Sequence, residues 1–111
     1  MRLRVKGKNM EVSTPLHEYA ETKLGKLDKH LLGDPEVEVE LSEEKNPAIH
    51  EPFSAEATVF LKGTTLRASE SAIDMRIAID RLHENLERQA RRYHEKRREE
   101  PRRRGEHHNT A

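Results

Sequence analysis

Two stretches of this chain carry apolar residues at helical spacing on one side only, and that restricts how everything else can be arranged. Leu16, Tyr19, Ala20, Leu24, Leu27 and Leu31 form one stripe. Met75, Ala78, Ile79, Leu82, Leu86, Ala90 and Tyr93 form the other. A helix with a single apolar stripe has one side to bury and needs one apolar surface to bury it on. The remaining segments supply that surface. Leu3 and Val5 alternate with Arg2, Arg4 and Lys6, and Val37, Val39 and Leu41 alternate with Glu36, Glu38 and Glu40. Phe53, Ala55, Ala57, Val59 and Leu61 share one face of residues 53–61, and Leu66 and Ala68 anchor a short last strand over residues 65–69. Such alternation marks half-buried strands, and the turn Lys62-Gly63-Thr64 makes the last two a hairpin. The order predicts an α+β fold. It is a β-α-β-β-β-α two-layer sandwich, one four-stranded sheet with two helices on one face.

Punctuation residues set the expected limits. Gly7-Lys8-Asn9 breaks the first strand. Ser13-Thr14-Pro15 opens the first helix and Gly33-Asp34-Pro35 closes it. Residues 43–52, with Asn46-Pro47 and Pro52, read as a loop. The second helix is expected from near Ser71, its stripe fading by about residue 94, and Pro101 and Gly105 should stop it. Residues 1–98 are thus expected to form the domain and residues 99–111 a charged, disordered tail or linker. Ile73 and Ile77 lie off the main stripe; they are expected to meet a strand edge or the other helix, the alternative being a patch for a protein partner.

Apolar residues make up 32% of the 111 and charged residues 38%, which suffices for one small core and not two. There is no cysteine, hence no disulfide framework or thiolate metal site. No run reaches the roughly 18 apolar residues of a membrane span. The strand pattern begins at once after Met1 and leaves no room for a signal peptide. A soluble, cytoplasmic protein is expected.

The formal net charge of zero conceals a division along the chain. Residues 34–56 hold eight carboxylates against Lys45, a net of −7, whereas residues 88–104 hold nine Lys and Arg against three Glu, a net of +6. Such asymmetry orients a protein on a polyanion as well as attracting it. At 100° per residue, Lys23, Lys26, Lys29 and His30 fall on one flank of the first stripe. Arg81, Arg88 and Arg92 fall in one row of the second helix, with Arg91 and Lys96 at its margins. Helices lying side by side would join these rows into one basic surface. Glu84 and Glu87 stand four residues before Arg88 and Arg91, where they can pair with them.

Nothing in the chain suggests catalysis. His83-Glu84 and His94-Glu95 start the zinc-protease pattern His-Glu-x-x-His, but positions 87 and 98 are Glu and Arg. There is no Gly-rich phosphate loop and no evident nucleophile and base. His107-His108 is an adjacent pair in a tail and is not expected to hold a metal. No cofactor, metal or small-molecule substrate is implied.

A set of short motifs points to a family. They are Gly7-Lys8-Asn9-Met10-Glu11-Val12, Lys23-Leu24-Gly25-Lys26-Leu27, Val37-Glu38-Val39-Glu40-Leu41-Ser42 and Leu66-Arg67-Ala68. The last is Asp74-Met75-Arg76-Ile77-Ala78-Ile79-Asp80, continuing through Leu86-Glu87-Arg88-Gln89. In this order, over roughly residues 1–98, the chain resembles the ribosome hibernation promoting factors, or ribosome-associated translation inhibitors, also called the sigma-54 modulation protein family. The resemblance implies a fold similar to double-stranded RNA-binding domains. It also implies binding in the mRNA and tRNA channel of the small ribosomal subunit, over the A and P sites, with translation inhibited and idle ribosomes preserved. Basic residues of both helices would contact the ribosomal RNA, and by position these are Lys23, Lys26, Arg88, Arg91 and Arg92. The chain departs from the family pattern at three places: Arg76 stands where a Tyr is frequent, and Asn85 and His94 stand where Lys is common. Arg76 adds a further candidate contact. Some members carry, after a linker, a second domain that pairs two copies, so a second copy of this chain is an implied partner wherever such a domain follows.

Overall fold

The computed structural model describes residues 1–110, with side chains described through Glu95. Four strands, β1 (Arg2–Lys8), β2 (Glu36–Glu43), β3 (Phe53–Leu61) and β4 (Thr64–Ala72), lie in that order across one sheet. β1 runs parallel to β2, and the other neighbours are antiparallel. The parallel pair is bridged by helix α1 (Thr14–Gly25), as a parallel connection requires. Helix α2 (Met75–Thr110) follows β4. The α+β sandwich expected from the two stripes is the fold observed.

The register turns the alternation of each strand into rows across the sheet. Leu3, Val37, Val59 and Leu66 line up, as do Val5, Val39, Ala57 and Ala68. Onto these rows pack Ala20, Leu24 and Leu27 from the first helical segment and Ala78, Ile79, Leu82, Leu86 and Ala90 from α2, all buried. A one-residue slip would carry every one of these strand residues to solvent, so the core fixes the register. The opposite sheet face is polar and charged. Glu36, Glu38 and Glu40 stand there with Arg4 and Lys6, joined by Arg4–Glu36 and Lys6–Glu40 ion pairs at 3.7 and 3.5 Å.

Four boundaries differ from the sequence reading, each for a local reason. β1 runs through Gly7 to Lys8. Gly7 is required for space, since a Cβ there would run into the backbone carbonyl of Met10 where the chain folds back. The first helix is α-helical only to Gly25; Lys26–His30 tighten into a 3-10 turn. Glycine has the least to gain from helical geometry apart from proline, and Leu27 reaches the same core from either winding. β4 extends to Ala72, four residues past Ala68, because Ser71 pairs with Ser54 through hydroxyls 2.9 Å apart instead of capping a helix. The cap falls to Asp74, whose carboxylate accepts the Arg76 N–H at 2.8 Å. Finally, α2 continues past Pro101 and Gly105, where the sequence predicts a stop. A proline removes one helical hydrogen bond and crowds one carbonyl, but the Arg and Glu residues on both sides are strong helix formers.

Candidate nucleic-acid interface

The two helices pack side by side on the sheet, and the basic residues of the sequence analysis divide between the seam and the outer side of the second helix. Lys23 projects from α1 into the seam, its Nζ 3.7 Å from Asp80 Oδ1 on α2. Tyr19, one turn before Lys23, donates its hydroxyl to the same carboxylate, and this bond, before burial, raises the Tyr19 pKa. The Arg76 guanidinium lies over the Tyr19 ring, 5.3 Å from its centroid. Lys26 and Lys29 are exposed on the 3-10 turn and have no ion pair among the described residues. Their azimuths therefore differ from those of an ideal α-helix, with three residues per turn replacing 3.6.

On α2 the predicted row divides. Arg88 and Arg92 stand exposed on the outer ridge without a carboxylate partner among the described residues. Arg81 is committed elsewhere, donating to Glu51 Oε2 at 3.0 Å and to the Ser71 carbonyl at 2.5 Å. Arg91 pairs with Glu87 at 2.7 Å, as the four-residue spacing predicts; no Glu84–Arg88 pair forms among the described residues. The Lys96 side chain and the His107-His108 pair lie outside the described side chains. The helix side thus does not present one uninterrupted basic surface, because Asp80 and Glu87 occupy the seam. Among the described residues its cations without an ion pair include Lys26 and Lys29 towards the first helix, Arg88 and Arg92 along the second, and Arg76 over Tyr19.

Two features escape the sequence reading. Asn85 donates to Glu70 on β4 at 2.7 Å, and Gln89 donates to the Arg67 carbonyl at 2.7 Å and to Asn85 at 2.8 Å. This polar ladder ties α2 to the outermost strand, so Asn85 serves the fold where the family pattern has Lys. Ile73 and Ile77, expected to meet a strand edge or the other helix, are instead 69% and 39% exposed, because α2 starts only at Met75 and turns both outward.

His83 is the other feature. It is 9% exposed at the seam, and its Nε2 lies 3.6 Å from Glu87 Oε2, beyond hydrogen-bond reach. Desolvation holds its pKa below the usual 6.5, opposed by Glu87 and reinforced by Lys23 and Lys26. Because the folded value is depressed, the unfolded chain binds the proton more readily. Stability is then lost as pH falls below about 6.5, and the loss levels off once the depressed value is passed. His83→Gln should flatten that limb of a stability profile measured by urea unfolding between pH 7 and 5. An unchanged slope would remove His83 as its source.

Among the described residues no three His, Asp or Glu side chains gather where they could hold a metal, and no helix is long and apolar enough to cross a membrane. The site is a charged two-helix surface on a small α+β domain. Residues 3–98 match the family described as Sigma 54 modulation protein / S30EA ribosomal protein, and the chain belongs to that family. It is 37% identical over 97 residues to a ribosome hibernation promotion factor of a Picosynechococcus species, an alignment covering 86% of this chain and 50% of the relative. A factor of the same name from Lactococcus lactis is 34% identical over 106 residues, covering 92% and 54%. The chain spans about half the length of the curated relatives it matches. The crystal structure of the Thermus thermophilus Protein Y N-terminal domain superposes with a TM-score of 0.72 at 32% identity, covering 84% of this chain and 99% of that one. A ribosomal subunit interface protein from Coxiella burnetii, at 24% identity and a TM-score of 0.70, shares the fold.

Proposed function

We propose that this domain binds the small ribosomal subunit in the mRNA and tRNA channel, over the A and P sites, through contacts to rRNA phosphates, and so holds translation off in idle ribosomes. The observation that carries the reading is the pair of exposed arginines, Arg88 and Arg92, without carboxylate partners among the described residues, on the same side of the sheet as Lys26 and Lys29. Cations left unpaired in a chain with as many carboxylates as Lys and Arg are available to phosphates. The names of the relatives support the same reading. Lys23, Arg76, Arg91 and Lys96 would add contacts, Lys23 and Arg91 by exchanging a carboxylate for a phosphate. Arg81 would contribute least, being held by Glu51. The acidic strand β2 points its carboxylates from the opposite sheet face, away from the RNA. Residues 1–98 are the binding unit and residues 99–111 a tail or linker, which in a longer chain would lead to a domain that pairs two copies. The protein acts in the cytoplasm, without cofactor or catalytic residue.

Co-sedimentation with purified ribosomal subunits across a salt series tests this. Pelleting with the small subunit should weaken steeply with salt, each neutralised phosphate adding about 0.7–0.9 to the log–log slope. No pelleting at low salt would sink the reading. Salt-insensitive binding would point instead to a protein contact, for which exposed Ile73 and Ile77 are the available apolar residues.

A further inference from the structure

We infer that Arg76 and Tyr19 form a stacking platform for an unpaired nucleotide base, an inference that rests on the RNA-binding reading and gives it a subsite. Arg76 differs in its surroundings from the arginines at 2, 4, 81 and 91. Each of those faces a carboxylate within ion-pair distance, whereas Arg76 is exposed and its charged group has no such partner among the described residues. What holds it is the ring of Tyr19, with the guanidinium carbon 5.3 Å from the centroid.

The ring itself is fixed. Tyr19 is half-buried against the core, and its hydroxyl is anchored on Asp80, which also holds Lys23 at 3.7 Å. A guanidinium ordered over an aromatic ring loses little further freedom when something lands on it, and it is more weakly hydrated than an ammonium. The guanidinium lies over the Tyr19 ring, and Arg76 is exposed to solvent at the end of the seam where α2 begins. A flat, cationic, weakly hydrated surface with a lysine beside it suits a splayed-out base with its phosphate close by. A phosphate alone would need only the charge. An acidic protein segment would need donors directed at carboxylates and would use the charge of Arg76 without the ring beneath it.

The difference between a plane and a charge makes the platform testable. Arg76→Lys keeps the charge and removes the plane. In small-subunit co-sedimentation it should lose about tenfold in affinity, the scale of one stacked base, with a salt slope equal to that of the unaltered protein. Tyr19→Phe keeps the ring and should bind within about threefold, since the hydroxyl only anchors the ring. A single-stranded RNA carrying 2-aminopurine gives a readout independent of the ribosome. Its emission should be quenched on binding the unaltered protein at low salt and not on binding Arg76→Lys. Unaltered affinity in Arg76→Lys would reduce Arg76 to a phosphate contact, which a lysine makes equally well, and overturn the platform. Failure of the unaltered protein to pellet with the small subunit, with quenching intact, would instead overturn the ribosomal reading and leave the platform standing. Loss of both would end both.

Discussion

Reversing the charge of two arginines together, R88E/R92E, is expected to weaken binding to the small subunit about a hundredfold or more while leaving the fold intact. Charge-assisted hydrogen bonds contribute about 1.5–3 kcal/mol each, and two lost together correspond to at least a hundredfold in affinity before repulsion is counted. The salt slope should fall by about two, one for each phosphate no longer neutralised. Stability should change little, because both side chains are exposed and make no ion pair among the described residues. R88E places a second carboxylate one turn from Glu84, a penalty of only a few tenths of a kcal/mol. Co-sedimentation alongside circular dichroism melting separates the two effects. A folded double variant that pellets like the unaltered protein would dismiss the outer ridge of α2 as the contact surface. The same reversal at Arg81 should do far less, since that side chain is already spent on Glu51 and the Ser71 carbonyl.

The contrast between Arg81 and Arg88 shows where the sequence stops informing. Both occupy one row by helical arithmetic, and both are exposed. What separates them is Glu51, thirty residues away in a loop whose path no periodicity describes. The seam is the same case. Asp80 meets Tyr19 across 61 residues of chain, and no local pattern could pair them. By contrast, the Glu87–Arg91 pair is four residues apart on one helix, as the spacing allows, although the equally spaced Glu84–Arg88 pair does not form among the described residues. The strands were legible because alternation and burial are the same fact seen twice. Val37, Val39 and Leu41 are buried where the intervening glutamates are not.

Helix ends were less legible, since several residues compete for the same role. Ser71 and Asp74 are both good caps, and the choice between them was made by Ser54 on the neighbouring strand. The break at Gly25 left no trace in the apolar spacing, because Leu24 and Leu27 are three apart in either kind of helix. His83 did carry a signal. It lies four residues after Ile79 and three before Leu86, both buried. That places it at the border of the stripe, where a second helix alongside would cover it.

Leu24→Ala should cost the domain about 2–5 kcal/mol, the range for truncating a fully buried leucine. Leu24 is 0% exposed and belongs to the core that joins α1 to the sheet and to α2. The loss is large against the roughly 5–15 kcal/mol that holds most domains together. A melting temperature lowered by about 10 °C or more is expected for a chain of this size. Leu24 also follows Lys23 directly, so the packing that buries one sets the position of the other in the seam. If the cavity relaxes by α1 shifting inward, Lys23 moves relative to Asp80, and small-subunit binding measured well below the melting transition falls a few-fold. If α1 stays in place, binding there is unchanged and only the melting temperature drops. Either result is compatible with Leu24 as a core residue; a melting temperature lowered by less than about 3 °C is not. It would mean that α1 is held by its neighbours Leu27 and Ala20 and by the seam contacts of Tyr19 and Lys23, and that the core spans fewer elements than its buried residues indicate.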